Sequence, residues 1–296
     1  MDSEDSRSAL TEADTAAQKA IIGALRAEWG EQLNIVGEED DDLLSSVGDM
    51  VFDPLRRDIF DDDIPSETPE IEFSDCIIFV DPLDGTREFV EGRLENCQVL
   101  VGIAIDGEAV AGAVGIPFPD GDLSTDPTIV YGIADFGSGV IGSTLKRGPY
   151  PLEKYIDGVN FPRPHHATGD STAGIMEACK KSTIKQFGGS NVVYGGAGNK
   201  ILAVALGEVA SSMSHKVGGA WDLCAPEAIL KSMGGKMTDL FGDEISIYRK
   251  DASSRCNEWG FLATSPGSER FHENWSKTIK TLPDVLKYET EVKENV

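Results

Sequence analysis

The stretch Cys76-Ile-Ile-Phe-Val-Asp-Pro-Leu-Asp-Gly-Thr86 runs from a short apolar segment directly into an acidic turn. Ile77 to Val80 read as a buried strand, being β-branched or aromatic and bounded by turn residues. Pro82 fixes the backbone and Gly85 permits a tight turn, so Asp81 and Asp84 converge at the strand end. Two carboxylates with an intervening carbonyl form an oxygen-rich nest suited to Mg²⁺. A bare Asp-x-x-Asp is also how an ordinary Asx turn looks, with side chains bonded to their own backbone. The rest of the chain has to decide between the two.

Upstream, Ala13 to Trp29 carry apolar residues at helical spacing (Ala17, Ile21, Leu25), and Thr11 is a suitable cap. Leu33 to Val36 read as a short strand, and residues 43–75 as a helix followed by a loop. Downstream, Gln98–Ile105 and Glu108–Ile116 flank Asp106-Gly107, a dipeptide that favours a two-residue hairpin. A second hairpin falls near Thr128–Ile141. Together these predict helices on an antiparallel sheet. In the second half, helical segments (Thr172–Lys181, Gly198–Leu206, Asp222–Met233) alternate with a strand at Asn191–Tyr194. Gly234-Gly235 ends the last of these helices. The expected organisation is a metal-binding α+β half at 1–145, an α/β half at 146–285 that completes the substrate site, and a tail at 286–296, the polar segment after Thr281 being expected to fray.

The 296 residues can bury a sizeable core, and 40% hydrophobic content is that of a globular chain. A net charge of −25 argues against nucleic-acid polymers and anionic membranes as partners. Its local peaks, Glu38-Glu-Asp-Asp-Asp42 and Asp61-Asp-Asp63, read mostly as solvated surface. The acidic start Met1-Asp-Ser-Glu-Asp-Ser is unlike a signal or transit peptide. The five scattered cysteines form no CxxC pair and read as reduced, buried thiols. A cytoplasmic protein, monomeric or homodimeric, is the expectation.

Three further acids sit at edges where metal ligands can gather. Glu38 follows a strand and a glycine. Asp222 opens a helix, where a carboxylate also serves as a cap, and Asp14 lies in the first turn of the first helix. Gly37-Glu-Glu39, Asp81-Pro-Leu-Asp-Gly-Thr86 and Trp221-Asp-Leu-Cys-Ala-Pro226, in that order, resemble the three signatures of the inositol monophosphatase superfamily, from about Thr11 to Thr264. Within it, Glu88-Phe-Val-Glu-Gly92, Gly195-Gly-Ala-Gly-Asn-Lys200 and Gly234-Gly-Lys-Met-Thr-Asp239 look like the 3′(2′),5′-bisphosphate nucleotidase branch.

The resemblance implies a layered α-β-α-β-α fold and a lithium-sensitive, Mg²⁺-dependent phosphatase with two or three ions. It implies that Glu38, Asp81 and the Leu83 carbonyl hold one Mg²⁺, and that Asp81, Asp84 and Asp222 hold a second. Thr86, hydrogen-bonded to Asp14, would orient or deprotonate the attacking water, whose acidity the metal raises. Backbone N–H groups at Gly85 and Thr86 would grip the phosphate, with Thr168, Ser171, Gly196 and Lys200 as further substrate contacts. The implied reaction removes the 3′-phosphate of adenosine 3′,5′-bisphosphate, and of its sulfated analogue. The family's usual Ser/Thr-Arg-Ser-His run is replaced here by Ala167-Thr-Gly-Asp-Ser-Thr172, with His165 and His166 just upstream. That departure keeps an inositol phosphate phosphatase as the alternative, and a catalytically inactive metal-binding scaffold as a second.

Overall fold

The computed structural model describes residues 12–39, 71–142, 165–170, 174–216, 218–245, 247–249 and 257–294. Thr11, Ser171 and most of the 43–75 segment therefore lie outside the described residues.

Helix α1 (Glu12–Trp29) leads into strand β1 (Asn34–Gly37), and β2 (Cys76–Asp84) carries the apolar run and the first acids. A short helix α2 (Thr86–Val90) follows at once. Strands β3 (Gln98–Ile105), β4 (Glu108–Ile116), β5 (Thr128–Ile133) and β6 (Gly137–Ile141) complete a six-stranded sheet in sequential order. Asp106 and Gly107 both take positive φ, 53° and 86°, as the right-handed twist of a two-residue hairpin demands. The sheet is antiparallel except at one edge, where β1 runs parallel to β2. The antiparallel expectation fails there because the long connection between β1 and β2 lets the chain return in the same direction.

The second sheet has the order β10-β11-β9-β7-β8. Its strands are β7 (His165–Thr168), β8 (Ser190–Val193), β9 (Ser211–Ser214), β10 (Lys236–Thr238) and β11 (Phe261–Thr264). Helices α4 (Ala197–Ala205) and α5 (Ala220–Ser232) lie between the sheets; α3 (Gly174–Phe187), α6 (Glu269–Ile279) and α7 (Pro283–Glu294) cover the outer face of the second.

Side-chain alternation decides these layers. On β2, Phe79 faces the central cluster with Leu100, Ile201 and Ile229. Its neighbours Ile78 and Val80 face outward to Ile21, Leu25 and Trp29 on α1. On β11, Phe261 and Ala263 face inward, while Leu262 packs outward with Trp275 and Phe271. Each Leu- or Phe-sized side chain so buried contributes about 1.5–3 kcal/mol. The result is the expected α-β-α-β-α layering.

Two departures concern the chain's second half. The segment after Thr281 reads as polar and fraying, yet Pro283–Glu294 is helical with Val285 and Val292 buried. Two apolar residues seven apart occupy one helix face, enough to dock it despite the polar remainder. Strands β7, β9, β10 and β11 are only three or four residues long, too short for an alternation pattern to register.

Candidate active site

Helix α5 reaches the ends of β2 and β3 by unusually close approach. Gly102 and Gly112 are cross-strand partners on the sheet face beneath it. A Cβ on Gly102 would lie 2.5 Å from Ala225 N, and one on Gly112 would lie 2.3 Å from Ala225 O. The paired glycines thus make a seat for the α5 backbone, and Asp222 comes down beside Asp81 and Asp84. Pro226 withholds the N–H that would otherwise bond the Asp222 carbonyl.

The ligand oxygens of Asp81, Asp84 and Asp222 lie within 4.8 Å of one another. Each carboxylate is oriented by backbone N–H donors. Leu83 N donates to Asp81 Oδ1 at 2.9 Å, and Gly219 N to Asp222 Oδ2 at 2.7 Å. Ala197 N and Asn199 N donate to the two oxygens of Asp84, at 2.9 and 3.0 Å. A carboxylate has about four lone-pair sites, so all three retain acceptor capacity. Glu38 is exposed as a residue, and its carboxyl shares a hydrogen bond with Asp81 at the edge of the three-aspartate cluster, outside its 4.8 Å spread.

Burial raises the proton affinity of all four acids, and repulsion between them adds to it at Glu38, Asp81 and Asp222. Asp81, desolvated and facing Glu38, Asp84 and Asp222, is held well above the usual carboxylate range. Burial, then Asp222, pushes Glu38 up to about 8; burial, then Asp84, pushes Asp222 up to about 7. Burial raises Asp84 too, with Lys200 and the three N–H groups from Ala197, Gly198 and Asn199 opposing it. Such a set is all oxygen, oriented and short of compensating positive charge. It fits a hard divalent cation and offers nothing to a soft one.

Thr86, the first residue of α2, places its Oγ1 3.2 Å from Asp14 Oδ1 and 3.1 Å from the Leu83 carbonyl. Asp14 is 1% exposed. Gly85 holds φ 90° to turn β2 into α2. Gly196, at φ 70°, lies against Asp84: a Cβ there would be 2.5 Å from Oδ2.

Lys200 lies near the start of α4 and is buried rather than on the surface. It is 9% exposed and its Nζ donates to Gly196 O at 2.7 Å. Asp84 and Asp222 act on its charge, while burial lowers its pKa.

The other substrate-side residues are less central. Thr168 is wholly buried at the end of β7, its hydroxyl without a hydrogen-bond partner among the described residues. His165 bonds Ser190 Oγ at 2.8 Å, and buried His166 bonds Ser211 Oγ at 2.6 Å, so both serve the second sheet. Ser171 lies outside the described residues.

A buried polar platform beneath the site escaped sequence reasoning. Gln98 Nε2 donates to Asn199 Oδ1, and Asn199 Nδ2 to Asn96 Oδ1. Glu88 accepts two hydrogen bonds from Arg93 and one from Asn96. The Glu88 carboxylate lies where a Cβ on Gly195 would stand, so it braces the Gly195–Lys200 loop.

The model of the inositol monophosphatase family matches residues 2–280. The chain belongs to this family. It is 32% identical over 274 residues to human 3′(2′),5′-bisphosphate nucleotidase 1, across 91% of this chain and 83% of the relative. The Dictyostelium discoideum nucleotidase of that name is also 32% identical, over 88% of this chain and 83% of its own length. Golgi-resident adenosine 3′,5′-bisphosphate 3′-phosphatase of rat is 28% identical over 74% of this chain and 54% of its own. Among solved structures, 2′AMP-bound SaIMPase-II aligns with a TM-score of 0.65 at 21% identity, covering 95% of this chain and 87% of that one. An inositol monophosphatase from Anabaena aligns at 0.61, with 20% identity and coverage of 93% and 88%. At these identities the structures establish the layered fold alone. No described helix is long and apolar enough to cross a membrane.

Proposed function

We propose that this family member is a Mg²⁺-dependent phosphomonoesterase that converts adenosine 3′,5′-bisphosphate to AMP and phosphate, and also accepts its 5′-phosphosulfate analogue. One observation carries the reading. Asp84, inside the acid cluster, accepts backbone hydrogen bonds from Ala197 and Asn199, within the Gly195–Lys200 segment that resembles the nucleotidases. Cleavage site and nucleotide-side loop are thus one unit. The nucleotidases to which the chain is similar support the same assignment.

Asp81, Asp84 and Asp222 would hold two Mg²⁺ ions, with Glu38 and the Leu83 carbonyl completing the set. Bound there, the ions supply Lewis-acid neutralisation of phosphoryl charge and lower the pKa of a water. Thr86 orients the attacking water and takes its proton as the threonine's own proton passes to Asp14. A hydroxyl has one proton, so donation to Asp14 leaves the Leu83 carbonyl open to a cation. The N–H groups at Gly85 and Thr86 face the phosphate oxygens. Lys200, fixed by Gly196, supplies positive charge that a protein of net −25 must concentrate locally to attract so anionic a substrate. The unpaired thiols Cys76, Cys97, Cys179 and Cys224 support a reducing, cytoplasmic setting.

Phosphate release from adenosine 3′,5′-bisphosphate, inositol 1-phosphate and inositol 1,4-bisphosphate, run in parallel with Mg²⁺, tests the assignment. The nucleotide should turn over fastest. Faster turnover of either inositol ester would sink it, and turnover of none would favour a scaffold.

A further inference from the structure

Arg87 stands next to Thr86, and its guanidinium leaves α2 for the loop after β7. Its Nη1 meets Asp170 Oδ2 at 2.8 Å, across 83 residues of sequence, while its Nε meets Glu91 Oε1 at 2.9 Å on its own helix. Asp170 lies two residues beyond Thr168, and its charge acts on Lys200 together with those of Asp84, Asp222 and Glu88. The Arg87–Asp170 pair therefore ties the turn that carries Thr86 to the end of β7 that carries Thr168, within electrostatic reach of Lys200. The loop bearing Asp170 is itself held, because Lys180 Nζ donates to Gly169 O at 2.8 Å.

Resting on the bisphosphate reading above, we propose that Arg87 is a specificity-determining residue for the phosphate that is not cleaved, and that Asp170 holds it in place until substrate arrives. The Arg87 side chain is 37% exposed and that of Asp170 60%, and an ion pair so open to water is held only weakly. A phosphate offers the guanidinium a dianionic, bidentate partner, which wins that exchange. The Nε contact with Glu91 keeps the guanidinium beside α2 while its Nη groups change partner. A cation beside Thr86 that is tethered by its stem and weakly held at its tip suits capture of a second phosphate. A purely structural clasp would affect every substrate alike.

The test uses the whole chain with Mg²⁺ and compares wild type, Arg87→Ala, Arg87→Lys and Asp170→Asn on adenosine 3′,5′-bisphosphate and adenosine 3′-monophosphate. Arg87→Ala should raise KM for the bisphosphate about tenfold, the loss of one charge-assisted contact, with little change in kcat. It should leave the monophosphate within about twofold. Arg87→Lys should recover part of the loss, and Asp170→Asn should lower the bisphosphate KM. Equal effects on both substrates, or an unchanged bisphosphate KM, would overturn the inference. If wild type instead prefers inositol esters, the nucleotide reading fails on its own. Inositol 1,4-bisphosphate against inositol 1-phosphate then makes the same comparison for Arg87.

Discussion

The Thr86 hydroxyl and Asp14, 72 residues apart in sequence, meet at 3.2 Å, and the same hydroxyl lies 3.1 Å from the Leu83 carbonyl. One proton thus has two acceptors, and the choice of Asp14 is the one that readies the site. Thr86→Ala should lower kcat by about 10²–10⁴-fold, the range of a lost proton-transfer partner, with little change in KM. Thr86→Ser should retain much of the rate. Steady-state phosphate release decides, and a Thr86→Ala enzyme of near wild-type kcat would remove the relay.

Asp81 is 1% exposed and its carboxyl is pushed upward by burial and three neighbouring acids. Asp81→Asn keeps the shape and the bond from Leu83 N while removing a charge. Activity and Mg²⁺ affinity should each fall by at least about a hundredfold, beyond what outer hydrogen-bond partners of a metal site cost. The metal-free variant should melt no lower than wild type. Titration calorimetry and thermal melts check both arms.

The same acids give a pH dependence whose sign is fixed. Glu38 and Asp222 have folded-state values raised to about 8 and about 7, so they favour the fold while protonated. That stabilisation is complete below the ordinary carboxylate range and is lost as pH rises through those values. Buried His166 and His272, each lowered to about 4, oppose the fold only below their ordinary value of 6.5. Between about pH 6.5 and 8.5 the acid cluster therefore dominates. Melting of metal-free protein should drop across that window, and saturating Mg²⁺ should abolish the drop. A flat metal-free profile would contradict the cluster's electrostatics.

Gly112 seats α5 so closely that an added methyl would press on Ala225 O. Gly112→Ala should destabilise the protein by about 1–3 kcal/mol, the cost of overpacking. It should also raise the Mg²⁺ concentration for half-maximal activity, because α5 carries Asp222. A stable variant with unchanged Mg²⁺ dependence would show that α5 is not positioned this way.

The sequence made the centre of this site legible because turn chemistry and acid placement are local. Asp81, Leu83, Asp84 and Thr86 lie on one turn, and Asp14 and Asp222 lie near helix starts, where carboxylates have recognisable reasons to be. The six-stranded sheet was legible for a similar reason, since β3 and β4 are long and joined by Asp106-Gly107. What stayed hidden depends on distant packing. The burial of Lys200 follows from its bond to Gly196 and the charges of Asp84 and Asp222. The capping of α4 by Asp84 joins positions 113 residues apart. The short strands of the second sheet and helix α7 take their stability from neighbours rather than from their own pattern.

A crystal structure of the protein soaked with Mg²⁺, AMP and phosphate decides whether the acid cluster and the Gly195–Lys200 loop form one nucleotide-cleaving site. Mg²⁺ should lie between Asp81, Asp84 and Asp222, with Glu38 and the Leu83 carbonyl as further ligands. A phosphate should sit beside Thr86 and the nucleotide along Gly195–Lys200. Metal bound away from these carboxylates, or AMP remote from that loop, would contradict a single site.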